Sequence, residues 1–78
     1  MFSEGDRLCI GMKQSRKAID ASLADRVYIA HDADPEIRDE IKSLCMKKEI
    51  PFNFQYTMQE LGEAGGIKVS AAVVTVLK

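Results

Sequence analysis

Arg26-Val27-Tyr28-Ile29-Ala30-His31-Asp32-Ala33-Asp34-Pro35 is the stretch on which the fold turns. Its first half, Arg26 to Ala30, is apolar without alternation, the pattern of a strand covered on both faces at the centre of a parallel sheet. Its second half ends on Asp34-Pro35. An Asp at the cap and a Pro at the first helical position form a strong helix start. The stretch therefore predicts strand, turn and helix in succession.

The alternation continues in both directions. The helix opened by Asp34 is expected to run to about Glu49, with Ile37, Ile41, Leu44 and Cys45 on its buried stripe. Lys47 and Lys48 complement its C-terminal dipole, and Pro51 prevents its continuation. Phe52-Asn53-Phe54-Gln55-Tyr56 alternates with a period of two, which predicts a strand with one aromatic face. Thr57 and Glu60 stand at capping-box spacing, before a short helix that ends at Gly65-Gly66. Ile67-Lys68-Val69-Ser70 then reads as a loop, and Ala71 to Leu77 as a β-branched strand. Upstream, residues 3–7 suggest a helical turn capped by Ser3, and Leu8-Cys9-Ile10 a short buried strand ending at Gly11. A helix follows from Gln14 to about Ala24, with Ala18, Ile19, Ser22 and Leu23 on one face. Four strands alternating with three helices imply an α/β fold: a three-layer α/β/α sandwich around a four-stranded mixed sheet, with residues 1–78 as one domain.

Composition narrows the function. Hydrophobic residues make up 46% and charged residues 29%, as in ordinary globular domains. Cys9 and Cys45 sit in apolar segments and read as reduced, packed thiols rather than a disulfide framework or metal site. The N-terminus lacks the pattern of a signal peptide. The longest apolar run, within Ala71 to Leu77, is far below the roughly 20 residues of a membrane span, so a cytoplasmic protein without membrane contact is expected. The net charge of −1 argues against a large nucleic-acid footprint, yet its distribution is uneven. Between Arg7 and Lys17 stand Arg7, Lys13, Arg16 and Lys17 with no acid, enough for a small basic patch.

That patch includes Gly11-Met12-Lys13-Gln14-Ser15-Arg16-Lys17, at the start of the first long helix. Cations oppose the helix dipole at this end. An incoming anion would instead meet free N–H groups, the dipole and the cations together. The competing sites are weaker. His31, Asp32 and Asp34 follow a strand, but Asp34 is accounted for as a cap and Asp32 as part of a turn. A nucleophilic Cys9 or Cys45 would need a base, and His31 is the only histidine. Gly65-Gly66 precedes a strand rather than a helix, and no Gly-Lys-Ser/Thr sequence is present, so nucleotide hydrolysis is unsupported. The stripe of Phe52, Phe54 and Tyr56 could stack bases but fits a core better. No catalytic residue, metal or cofactor is expected.

Three ordered motifs resemble the kink-turn-binding ribosomal protein family, and its small bacterial members most. They are Ile10-Gly11-Met12-Lys13-Gln14-Ser15-Arg16-Lys17-Ala18, Tyr28-Ile29-Ala30-His31-Asp32-Ala33-Asp34-Pro35, and Leu61 through Ala72. The resemblance implies binding to kink-turns, RNA helices sharply bent at a bulge flanked by sheared G·A pairs. In the archaeal pattern Gly-x-Asn-Glu-x-x-Lys, the Asn, Glu and Lys lie against the kink. Carried over, Gly11 matches Gly, Lys13 matches Asn, Gln14 matches Glu and Lys17 matches Lys. Lys13 and Gln14 depart from the archaeal pair in the manner of the bacterial branch and retain base-edge chemistry. The RNA-contact set so implied is Gly11, Met12, Lys13, Gln14, Arg16 and Lys17, with Ile67, Lys68, Val69 and Ser70 covering bulged nucleotides. The expected partner is structured RNA, such as rRNA or an mRNA leader, with the ribosome as a wider partner and the protein itself a monomer. A protein-interaction module on the same fold is the alternative, since fold does not fix function.

Overall fold

The computed structural model describes residue 2 and residues 5–78. Its elements are β1 (Leu8–Ile10), α1 (Met12–Asp20), β2 (Ala24–Ile29), α2 (Pro35–Lys48), β3 (Phe52–Asn53), α3 (Met58–Ala64) and β4 (Val73–Leu77). The expected cap Ser3 lies outside the described residues. The strands form one sheet in the order β1-β4-β2-β3. β4 runs antiparallel to both β1 and β2, whereas β3 is parallel to β2. The sheet is therefore mixed, as expected.

Alternation along β2 and β4 divides the core between the two faces of the sheet. Val27, Ile29 and Val73 point to one side and join Ile19 of α1 and Ile41 and Cys45 of α2. Tyr28, Val74 and Val76 point to the other and join Leu61 of α3. Two helices thus cover one face and one covers the opposite face, giving the three layers. Phe2 adds to the α3 side, with its ring edge-on to Tyr28 at 5.0 Å. Among the described residues no helix is long and apolar enough to cross a membrane.

Helix boundaries differ from expectation for local reasons. α1 starts at Met12, earlier than Gln14, because Gly11 (φ 96°) turns the chain sharply out of β1. It ends at Asp20 rather than Ala24. Ser22 adopts a left-handed conformation (φ 59°), and the N–H groups of Ser22 and Leu23 turn back to the carbonyls of Ile19 and Ala18. This double closure ends a helix in the way a glycine usually does. Ser22 and Leu23 consequently leave the buried face, and Leu23 is exposed. α2 closes likewise, at Glu49 (φ 57°), before Pro51 is reached.

The third strand is shorter than its alternating pattern suggests. Only Phe52 and Asn53 pair with β2. The Asn53 side chain then accepts a hydrogen bond from the Gln55 N–H at 3.2 Å, turning the chain locally. Phe52 and Phe54 pack on the α1–α2 side, while Tyr56 lies on the α3 side near Tyr28. The anticipated single aromatic face is thus divided between two half-cores.

Thr75 is fully buried, and its hydroxyl has no hydrogen-bond partner among the described residues. A buried unpaired hydroxyl costs its desolvation without return. Thr75→Val is expected to raise the unfolding free energy by about 1 kcal/mol, read from the urea midpoint. A decrease would show that the hydroxyl is satisfied.

Candidate nucleic-acid interface

Because β1, β2 and β3 all oppose β4 in direction, their C-terminal ends and the start of β4 share one edge of the sheet. All three helices start there, and the 67–70 loop returns there. Backbone bonds join these segments. The Gly11 N–H donates to the Val73 carbonyl at 2.8 Å, and the Ala30 N–H to the Ala72 carbonyl at 2.8 Å. The His31 N–H reaches the Tyr56 carbonyl at 3.0 Å, and the Ala71 N–H the Met58 carbonyl at 3.0 Å. The Gly11 turn and the lead-in to β4 are thereby fixed side by side.

Two of the three helix starts are closed by side chains. On α2, Asp34 Oδ1 accepts from the Glu36 N–H at 2.9 Å, and Glu36 adds an acid to the first turn. On α3, Thr57 and Glu60 complete the anticipated reciprocal box at 3.1 and 2.9 Å. Asp32 Oδ1 also accepts from the Met58 N–H at 2.8 Å, so it secures α3 as well as turning the chain after β2. The start of α1 differs. Gly11 offers no capping side chain, and the first turn carries no acid. That end presents N–H groups and the positive end of the helix dipole outward. A Cβ at Gly11 would meet nothing within 4 Å, so the backbone is open to approach, although its φ disfavours any other residue.

Lys13 and Gln14 are exposed in the first turn beside this opening. Because α1 begins at Met12, Lys17 falls in its last turn rather than at its entry, exposed one turn beyond Lys13. None of the three has a partner among the described residues. Arg16 is also exposed, but its Nη2 donates to Glu40 Oε2 on α2 at 3.3 Å. Met12 is half buried against the α1–α2 core. Ser15 was not singled out by sequence. It is fully buried, and its hydroxyl donates to the Cys9 carbonyl at 3.3 Å, anchoring the helix start to β1. Its position four residues before the buried Ile19 was the available signal.

On the neighbouring loop, Ile67 turns inward and packs on the α3-side core. Lys68 and Ser70 are exposed, and Val69 is 71% exposed, a large apolar side chain facing solvent. The loop lies directly on α3. A Cβ built on Gly62 would collide with the Val69 carbonyl oxygen and stand 3.0 Å from Ser70 Cα. Gly62 is not singled out by sequence; a glycine inside a helix costs roughly 1 kcal/mol, and that cost is the signal that could have marked a close backbone approach.

The rival chemistry finds less support. Asp34 and Asp32 are engaged at helix starts. Cys45 is fully buried, and desolvation pushes its thiol up to about 11, which keeps it protonated and a poor nucleophile near neutral pH.

Comparison with known proteins gives the family and the fold. An RNA-binding protein of Halalkalibacterium halodurans is 37% identical over 76 residues, covering 97% of this chain and 93% of the relative. A 15.5 kD RNA-binding protein of Giardia lamblia superposes with a TM-score of 0.84 at 30% identity. That superposition covers 91% of this chain and 60% of the Giardia chain. A Bacillus halodurans protein described as of unknown function also superposes with a TM-score of 0.84, at 25% identity, over 91% of this chain and 71% of its own. The profile of the ribosomal protein L7Ae/L30e/S12e/Gadd45 family matches residues 2–78, and the chain belongs to that family.

Proposed function

We propose that this protein is a non-catalytic RNA-binding protein that recognises and stabilises kink-turn RNA. The observation that carries the reading is the open start of α1 among three neighbouring helix starts, with Lys13 and Gln14 beside it and Lys17 one turn beyond, none with a partner among the described residues. Family membership and two relatives named for RNA binding support it. Sharp bending brings RNA phosphates together at a cost in repulsion. Lys13, Lys17 and the dipole of α1 lower that cost. Lys13 and Gln14 read the edges of the G·A pairs. Val69 covers an unstacked base, with Ile67 shaping the loop from beneath, while Lys68 and Ser70 add polar contacts at its rim. The protein favours the bent form only by its differential affinity for it. The reading extends to a monomer acting in the cytoplasm, on ribosomal RNA or an mRNA leader. The exposed Val69 would equally suit an apolar protein side chain, and this favours the interaction-module reading as the alternative.

Energy transfer between dyes on the two arms of a kink-turn tests the proposal. In a buffer where the free RNA is mostly extended, saturating protein is expected to bring the arms together. An unchanged distance at saturation would overturn the reading. Lys17→Ala is expected to weaken binding to bent and straight RNA alike, and the bent form more. It should also reduce the slope of log affinity against log salt by roughly 0.7–0.9, the loss of one phosphate contact.

A further inference from the structure

The helix itself divides its cluster of cations. At about 100° per residue, Lys13 and Lys17 fall on one row a turn apart. Arg16 is rotated toward the flank that carries Met12 and Ile19, both packed in the core shared with α2. There its guanidinium meets Glu40 at 3.3 Å. Glu36 and Asp39 are also exposed in the first half of α2, whereas its exposed lysines, Lys42, Lys47 and Lys48, stand further along toward its C-terminal end. A phosphate approaching the first half of α1 therefore meets positive charge on the Lys13–Lys17 row, with the exposed acid Asp20 only at its far end, and compensated charge on the flank where Arg16 meets Glu40.

On the RNA-binding reading above, we propose that Glu40 is a specificity-determining residue. It draws Arg16 away from phosphate and makes the α2 flank unreceptive to RNA backbone in general. Strong binding then requires an RNA whose phosphates converge on the Lys13–Lys17 row. Charge placed against the wrong ligand is a common route to selectivity. Both partners are about half exposed, so the pair is weak and salt-sensitive, and the effect is a few-fold rather than absolute.

The test titrates the full chain with a kink-turn RNA and with a plain duplex of equal length. Glu40→Gln is expected to raise duplex affinity about three- to fivefold and to steepen its salt dependence by roughly 0.7–0.9. The gain on the kink-turn should be less than about twofold. Arg16→Ala should cost the Glu40→Gln chain at least about twice as much duplex affinity as it costs the native chain, because the freed guanidinium is what gained the contact. Equal gains on the two RNAs, or an equal cost of Arg16→Ala in both backgrounds, would overturn the inference alone. A native chain that binds neither RNA would overturn the RNA-binding reading, and this inference with it.

Discussion

Replacing Lys13 and Gln14 together by alanine is expected to abolish the preference for a kink-turn over a straight duplex. Each good base-edge contact contributes about 1–3 kcal/mol of discrimination. Losing two weakens kink-turn binding on the order of 100-fold. Duplex binding, which retains Lys17 and the dipole of α1, should fall far less. Both side chains are exposed, so the unfolding midpoint should move little. Parallel titrations with the two RNAs make the measurement. Retention of the full preference by the double variant would remove Lys13 and Gln14 from the recognition surface.

Gly62→Ala is expected to damage both folding and RNA binding. The added methyl group would run into the Val69 carbonyl oxygen and approach the Val69 carbon at 3.1 Å. These are backbone atoms, which cannot rotate aside. Alanine gains roughly 1 kcal/mol over glycine in helix propensity. Overpacking typically costs 1–3 kcal/mol, and a rigid neighbour puts the cost at about the upper end. We expect a net destabilisation of about 1–2 kcal/mol, with displacement of the 67–70 loop and weaker RNA binding. Gly65→Ala is the control. Its methyl would approach the tip of the Ile10 side chain at 2.8 Å, which can swing away. It should change stability by less than about 0.5 kcal/mol. Urea unfolding and RNA titration of both variants decide the matter. If Gly62→Ala proves as benign as Gly65→Ala, the loop is not seated on α3.

Much of this fold is legible in the sequence because local signals agree with the tertiary result. The unalternated run from Val27 to Ala30, the Asp34-Pro35 start and the Thr57–Glu60 box each report a local conformation that packing then preserves. Boundaries were less legible where the deciding interaction is conformational. Ser22 closes α1 in a left-handed conformation more often taken by glycine, so nothing in its identity marks an end, whereas the close of α2 at Glu49 falls where Lys47, Lys48 and Pro51 place it. The third strand is shorter than its alternation implies because period-two spacing does not reveal the turn formed by the Asn53 side chain.

The candidate site follows the same division. Gly11, Lys13, Gln14 and Lys17 stand close together in the chain and can be read as a group, and the structure leaves the side chains of Lys13, Gln14 and Lys17 exposed to solvent. The bond from Gly11 to Val73 joins segments far apart in sequence, and their adjacency entered the reading only through the resemblance of the motifs to a family. The second function of Asp32, on the start of α3, and the pairing of Arg16 with Glu40 depend on where neighbouring elements come to rest. No spacing rule along a single helix or strand contains that information.

The most direct test of RNA recognition compares two RNAs that differ only at the kink. One carries the bulge with its flanking G·A pairs, and the other has those pairs replaced by Watson–Crick pairs. At moderate salt the native chain should bind the intact kink-turn on the order of 100-fold more tightly, since base-edge contacts and the bent shape are lost together. Equal affinity for the two would contradict the account and leave the opening of α1 as a non-specific site for phosphate.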